Sequence, residues 1–150
     1  AAGLDLAVDG ADQVDPQLHV IKGAGGAQVR ERIVAAAAAR FIVIVDPGKL
    51  VQQLTGPLPV ELLEFGVERT LQQLEETGAS YTVRPSADGS PLRSSDGNLI
   101  ADGLYSVIDD APALSAVIQR IPGVVGHGLF LGMAERVLIG HPDGSVDERP

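Results

Sequence analysis

Cysteine and tryptophan are absent from the 150 residues, and aromatic side chains of any kind make up only 3%. Without cysteine there is no disulfide framework, no thiol nucleophile and no cysteine-based zinc site. That composition fits a reducing cytoplasm, which is the expected location. Basic residues are also scarce, 11 against 20 acidic ones, for a formal charge of −9. Such a chain lacks the basic stripe that nucleic-acid backbones or anionic membrane surfaces need, so neither is an expected partner. Long apolar runs are missing too. Ile33–Ala39 and Phe41–Val45 are split by Arg40, well short of the ~18 residues that cross a bilayer. The start, Ala1-Ala2-Gly3-Leu4-Asp5, shows no basic region followed by an apolar stretch. It has no initiator Met and enters a strand-like pattern at once. What is present is 45% apolar residues with 18 Gly and 10 Pro. A chain of this size buries roughly two-thirds of its unfolded surface and builds a real core.

Leu4, Leu6 and Val8 alternate with Asp5, Ala7 and Asp9, a period-two strand over residues 3–9. Residues 10–17 read as a loop and Leu18–Ile21 as a short strand, with Lys22 at its end. The turn Gly23-Ala24-Gly25-Gly26 leads into a helix from about Ala27 to Ala39, whose apolar face is Val29, Ile33 and Ala37 beside Val34 and Ala38. The β-branched run Phe41–Val45 has the character of a central parallel strand. Beyond it come a strand within Pro57–Phe65 and a helix with the stripe Val67, Leu71 and Leu74, ended by Gly78. Strands at Tyr81–Arg84 and Asn98–Leu104 precede a helix over Ala111–Arg120, with Asp110 as N-cap and Pro112 in its first turn. Val124–Leu131 reads as one strand, Arg136–Ile139 as another, and the residues after His141-Pro142-Asp143-Gly144 as a polar tail. The expected fold is α/β: a partial Rossmann-like layer structure with a parallel sheet, plus a smaller ferredoxin-like βαββαβ lobe. Residues 1–56 and 132–150 would form the core, and residues 57–131 the lobe.

Chemistry-bearing side chains crowd the first third: Asp9, Asp12, Lys22, Glu31, Asp46 and Lys49. Lys22 and Lys49 are the protein's only lysines, the other nine basic residues being arginine. Each follows the C-terminal end of a strand, the edge where open α/β sheets bind ligands. An ammonium suits a site where a compact charge meets a small oxyanion. The glycine turn fails as a dinucleotide fingerprint because Gln28 stands where the last Gly or Ala is needed. It remains a turn presenting backbone N–H groups at a helix N-terminus. Asp9, Asp12 and Asp15 miss calcium-loop spacing, with Val14 in place of the required glycine. His19, His127 and His141 are scattered and read as surface or packed residues. No metal site is expected.

Four segments carry a family resemblance: Asp9-Gly10-Ala11-Asp12; Ile21-Lys22-Gly23-Ala24-Gly25-Gly26-Ala27; Arg30-Glu31-Arg32-Ile33-Val34-Ala35; and Phe41-Ile42-Val43-Ile44-Val45-Asp46 with Lys49. In this order and spacing they resemble type A ribose-5-phosphate isomerases. Pro57-Leu58-Pro59-Val60-Glu61, Asp96-Gly97-Asn98, Ile121-Pro122-Gly123-Val124-Val125 and Gly128-Leu129-Phe130 extend the resemblance over nearly the whole chain. Gln13, where the family usually has an acidic residue, and Ala24, inside the glycine run, depart from it.

The resemblance implies interconversion of ribose 5-phosphate and ribulose 5-phosphate through an enediolate. In its terms Glu31 is the general base, and Lys22 stabilises the enediolate oxygen. Asp9 and Asp12 exchange protons with sugar hydroxyls, and Lys49 binds substrate. Gly10, Ala11, Gly23, Gly25 and Gly26 line the substrate, while Asp46 is structural. No cofactor is implied, and the expected assembly is a homo-oligomer, dimer or tetramer. The alternative is a non-catalytic sugar-phosphate binder or a truncated relative of the same superfamily. Members of the family carry a phosphate-holding Gly/Ser/Thr-rich loop ahead of the Asp-Gly-Ala-Asp motif, which this sequence does not contain. Residues 1–150 alone are therefore expected to show little turnover and to self-associate through an uncovered sheet edge.

Overall fold

The computed structural model describes residues 3–150. Strands β1 (Ala7–Asp9), β4 (Phe41–Val45) and β10 (Arg136–Gly140) run parallel, with β4 in the middle. This agrees with the β-branched character of β4. Phe41, Val43 and Val45 point into a core shared with Ala7, Val137 and Ile139. The opposite face is open: Leu6, Val8 and Ile44 are 47%, 51% and 47% exposed. β4 is therefore central within its sheet but covered on one side only.

Residues 58–127 form the βαββαβ unit. Its strands are β5 (Leu58–Leu62), β6 (Tyr81–Val83), β7 (Leu99–Gly103) and β8 (Val124–His127), and its helices are α2 (Val67–Glu75) and α3 (Ala111–Ile118). The sheet order is β6-β7-β5-β8, antiparallel throughout. α2 and α3 pack Leu74 and Ile118 into a second core against Leu58, Val60 and Leu62. Asp110 caps α3 as expected, accepting a hydrogen bond from the Ala113 N–H at 2.9 Å. The α/β architecture and the split βαβ order expected from sequence are both present.

A third sheet of short strands, β2 (Gln13–Val14), β3 (Val20–Ile21) and β9 (Leu129–Phe130), has the order β2-β3-β9. Because neighbouring residues on a strand face opposite ways, Val20 and Phe130 join the first core while Ile21 and Leu129 join the second. The small sheet is thus a septum between the two cores.

Four expectations are corrected. Residues 10–17 are not loop throughout, since Gln13 and Val14 form β2, paired antiparallel with β3. Val124–Leu131 is two strands in two sheets, β8 and β9, divided at Gly128. The chain changes sheet there because Gly128 lies against the Lys22 carbonyl, which a Cβ would strike. The segment after Gly144 is polar as expected but is more than a tail: Val146–Arg149 form strand β11, paired antiparallel to β10. It is exposed along most of its length and so carries no apolar pattern. In helix α1 (Gln28–Ala37), Ile33 is 64% and Val34 48% exposed, while Gln28 and Ala35 are buried. Of the expected apolar stripe Ile33, Val34 and Ala37 face outward while Val29 and Ala38 are half-buried, because much of the inner face carries polar and functional side chains instead.

Candidate functional site

The glycine turn sets the geometry. Gly23 and Gly26 have φ of +113° and +77°, which side-chain-bearing residues adopt only under strain. The Gly26 N–H closes the turn on the Gly23 carbonyl at 3.0 Å. The chain thereby leaves β3 and enters α1 within a few residues, bringing Lys22 and Glu31 together. No side chain caps the start of α1, so its first N–H groups stay unclaimed by side chains.

Lys22 is 3% exposed. Its Nζ lies 3.0 Å from Asp9 Oδ2 and 3.6 Å from Glu31 Oε2, and it donates to the Gly10 carbonyl. An ammonium this deeply buried requires such partners. Asp9 is the last residue of β1 and is braced by the Gly10 N–H on its Oδ1 at 2.8 Å. Asp12 accepts the Ala24 N–H at 2.9 Å, which ties the Asp-Gly-Ala-Asp segment to the glycine turn. Ala11 packs towards the first core. Gly10 and Gly25 are exposed, and a side chain at Gly25 would meet nothing.

Glu31 differs from the other carboxylates. Its Oε2 is buried and accepts no hydrogen bond; the Lys22 ammonium is near enough to attract it but too far to bond it. Burial pushes the Glu31 carboxyl above the usual glutamate range. The Lys22 charge opposes that shift, and the carboxylates of Asp9 and Asp12 add to it. The group combines a reachable charge with a raised affinity for protons, as a general base requires.

Lys49 ends the short 3₁₀ turn Pro47–Lys49, just beyond β4 and exposed. It makes no ion pair among the described residues. Asp46 caps this turn through the Gly48 N–H at 2.7 Å, the structural part expected of it. Asp9, Asp12, Lys22 and Glu31 form one cluster, while Lys49 stands apart at the same C-terminal edge of the parallel sheet. Gln13, one of the two departures from the family pattern, exchanges amide bonds with Thr55: its Oε1 accepts from Thr55 N at 2.9 Å and its Nε2 donates to Thr55 O at 3.2 Å. A carboxylate could not make the second bond.

Phe130 and Arg32 complete the surroundings, and sequence reasoning gave neither a role. The Phe130 ring is fully buried, its centroid 5.8 Å from Lys22 Nζ and 4.2 Å from Arg32 Cζ. Arg32 also donates to the carbonyls of His127 and Leu129 at 2.8 and 2.6 Å. Its guanidinium therefore pins α1 to the point where β8 passes into β9. A lone Phe and an Arg within a basic-acidic-basic triplet carry no spacing signal for this contact.

Residues 1–144 match the family model described as Ribose 5-phosphate isomerase A (phosphoriboisomerase A). The chain belongs to this family. It is 50% identical over 146 residues to the ribose-5-phosphate isomerase A of Roseiflexus sp. (strain RS-1), an alignment covering 96% of this chain and 63% of the relative. With the protein of the same name from Methanothermobacter thermautotrophicus it shares 46% over 144 residues, 94% of this chain and 63% of that one. Among solved structures, ribose 5-phosphate isomerase from Plasmodium falciparum superposes with a TM-score of 0.92 at 34% identity, covering 99% of this chain and 66% of the other. A D-ribose-5-phosphate isomerase in complex with phospho-erythronic acid gives 0.93 at 35% identity, with the same coverage. The chain thus spans a little under two-thirds of the length of these curated family members.

Proposed function

We propose that this chain carries the reaction centre of a ribose-5-phosphate isomerase. Open-chain ribose 5-phosphate and ribulose 5-phosphate would interconvert there through an enediolate. The observation that carries this reading is the buried, unbonded Oε2 of Glu31 beside the Lys22 ammonium. Glu31 removes the proton from C2 of the aldose. The C–H electrons become the C1=C2 bond, and those of the C1 carbonyl move onto its oxygen. Lys22 faces that developing oxyanion as a fixed, water-excluded charge. Glu31 then delivers its proton to C1 while the C2 hydroxyl loses its proton and becomes the ketone; that second proton passes to the C1 oxyanion, which becomes the C1 hydroxyl of ribulose 5-phosphate. Asp9 and Asp12 exchange protons with the sugar hydroxyls. Lys49 binds substrate from the neighbouring strand end, with Gly10, Ala11 and the glycine turn offering backbone contacts.

Support also comes from the relative bound to phospho-erythronic acid. That molecule is a phosphorylated sugar acid, and its carboxylate resembles an enediolate in charge and planarity. A homo-oligomer is part of the same proposal, read by sedimentation. The deciding experiment follows conversion of ribose 5-phosphate by the parent, this chain supplied with the phosphate-holding N-terminal portion that its family carries, and by the Glu31→Gln variant of it. Loss of kcat by about 10³-fold, with KM little changed, is expected for removal of the base. Near-parental turnover would overturn the role of Glu31. Tight sugar-phosphate binding without turnover by the parent would favour a non-catalytic binder.

A further inference from the structure

We propose that Arg84 is a positioning residue for this site. Held by Asp102, it fixes the glycine turn and through that turn orients Asp12. The inference rests on the isomerase reading above. Arg84 follows β6, and Asp102 lies in its neighbour β7, paired with Thr82. The guanidinium Nε and one terminal nitrogen donate to the two Asp102 oxygens at 2.7 and 2.6 Å. The other terminal nitrogen reaches out of the antiparallel sheet and donates to the carbonyls of Gly23 at 3.1 Å and Ala24 at 2.9 Å. The Arg84 and Asp102 side chains are only 16% and 20% exposed.

The peptide plane between Gly23 and Ala24 decides the consequence. Its carbonyl accepts from Arg84, and its N–H, on the opposite side of the same rigid unit, donates to Asp12 Oδ2 at 2.9 Å. Rotating that plane breaks both bonds together, along with the Gly26 N–H bond to the same carbonyl inside the turn. Gly23 is the residue whose left-handed φ leaves the plane freest to rotate, and Lys22 is joined directly to it. The Gly26 N–H limits that freedom from inside the turn, and Arg84 adds a hold from outside it. Asp102 in turn fixes the rotamer of Arg84 and balances its charge. A lysine could keep one contact with Asp102, but it has no planar fork to span a carboxylate and two carbonyls at once. The antiparallel lobe thereby takes part in the geometry of a centre whose proposed reacting side chains all lie outside it.

The test compares the parent protein with Arg84→Lys and Arg84→Ala. Readouts are ribose 5-phosphate turnover, hydrogen exchange at the Ala24 amide and the thermal midpoint. Arg84→Lys keeps the charge beside Asp102 and serves as the variant that folds. In it kcat should fall about 10²-fold, the scale of a small misplacement of reacting groups. KM should stay within about threefold, and Ala24 exchange should quicken at least tenfold. Free guanidinium should partly restore kcat in Arg84→Ala, which a purely structural loss would not allow. Unchanged Ala24 exchange, or unchanged kcat despite faster exchange, overturns the proposal. If the parent does not isomerise ribose 5-phosphate, the functional reading fails while Ala24 exchange still decides whether Arg84 holds the turn.

Discussion

Glu31 is kept in a place that opposes its own ionisation, and that sets two expectations of opposite kind. As a base it must be deprotonated, so kcat should fall with acidification through a pKa above the 4.5 of an ordinary glutamate. A pH–rate profile for kcat locates that limb, and a limb at or below 4.5 would contradict the assignment. Its effect on stability runs the other way. A folded-state pKa raised above the unfolded one stabilises the fold only while the group is protonated, and this is lost as pH rises through the folded value. Glu31→Gln should therefore melt above the parent at neutral pH, with the gap closing in acid. Thermal melts over that range measure both ends. Gln28 poses a related problem without charge. Its carboxamide is fully buried, and neither polar atom finds a partner. An orphaned buried polar group costs about 1–3 kcal/mol, and methionine fills nearly the same volume without it. Gln28→Met is expected to raise Tm by roughly 3–6 °C in a chain of this size; a lower Tm would mean that the amide has a partner in solution.

Elements were legible where one physical signal dominated. β4 declares itself by five apolar residues, α3 by Asp110 and Pro112 at its start, and the βαββαβ unit by the alternation of strand and helix patterns. The same reasoning misplaced the buried face of α1. It counts apolar residues, while the inner side of that helix carries Gln28, Glu31 and Arg32. It missed β11 because an edge strand exposed along its length needs only a turn and backbone pairing. The cluster Asp9, Asp12, Lys22 and Glu31 was named from motif resemblance, whereas the Arg84–Asp102 clamp joins residues that no local spacing connects. The break between β8 and β9 was hidden because Gly126 and Gly128 flank His127 alike, and nothing in the sequence marks the second glycine as the one where the chain changes sheet. That junction can be tested directly. A Cβ at residue 128 would strike the Lys22 carbonyl and sit 3.1 Å from Pro59 Cδ, and neither is a flexible side-chain end. Gly128→Ala should cost about 3 kcal/mol, the upper part of the usual overpacking range. Gly140→Ala, where a Cβ meets nothing, should stay within about 0.5 kcal/mol. Urea midpoints compare the two, and equal midpoints would mean that the sheets can part at Gly128 without loss.

At the scale of the whole molecule, the two cores meet where His127 ends β8, and acid should loosen them there first. His127 is 1% exposed. Its Nδ1 accepts the Leu129 N–H at 3.1 Å, so the neutral ring carries its proton on Nε2, which lies 3.1 Å from both Ser115 Oγ on α3 and the Gln119 carboxamide. Its own carbonyl receives Arg32 from α1. A second ring proton would meet the Leu129 N–H head-on and add charge near the Arg32 guanidinium. Burial, helped by that guanidinium, accordingly pushes the His127 pKa from 6.5 down to about 4. A depressed folded pKa contributes stability that is present above the unfolded value of 6.5 and is lost as pH falls towards 4. The loss is on the order of 3 kcal/mol. His127→Gln, which keeps a polar group near Ser115 but cannot gain a proton, should be less stable than the parent at pH 7. Its stability should also change less between pH 6.5 and 4. Urea midpoints at several pH values give both curves, and parallel curves would show that His127 takes no part in acid unfolding. Because Arg32 hangs from the His127 carbonyl and Glu31 is its neighbour on α1, opening this junction should also unseat the base. Protection from hydrogen exchange at the Glu31 amide, which donates to the Ala27 carbonyl at 2.9 Å, should then fall as pH drops from 6.5 towards 4, a readout separate from the titration of the Glu31 carboxyl.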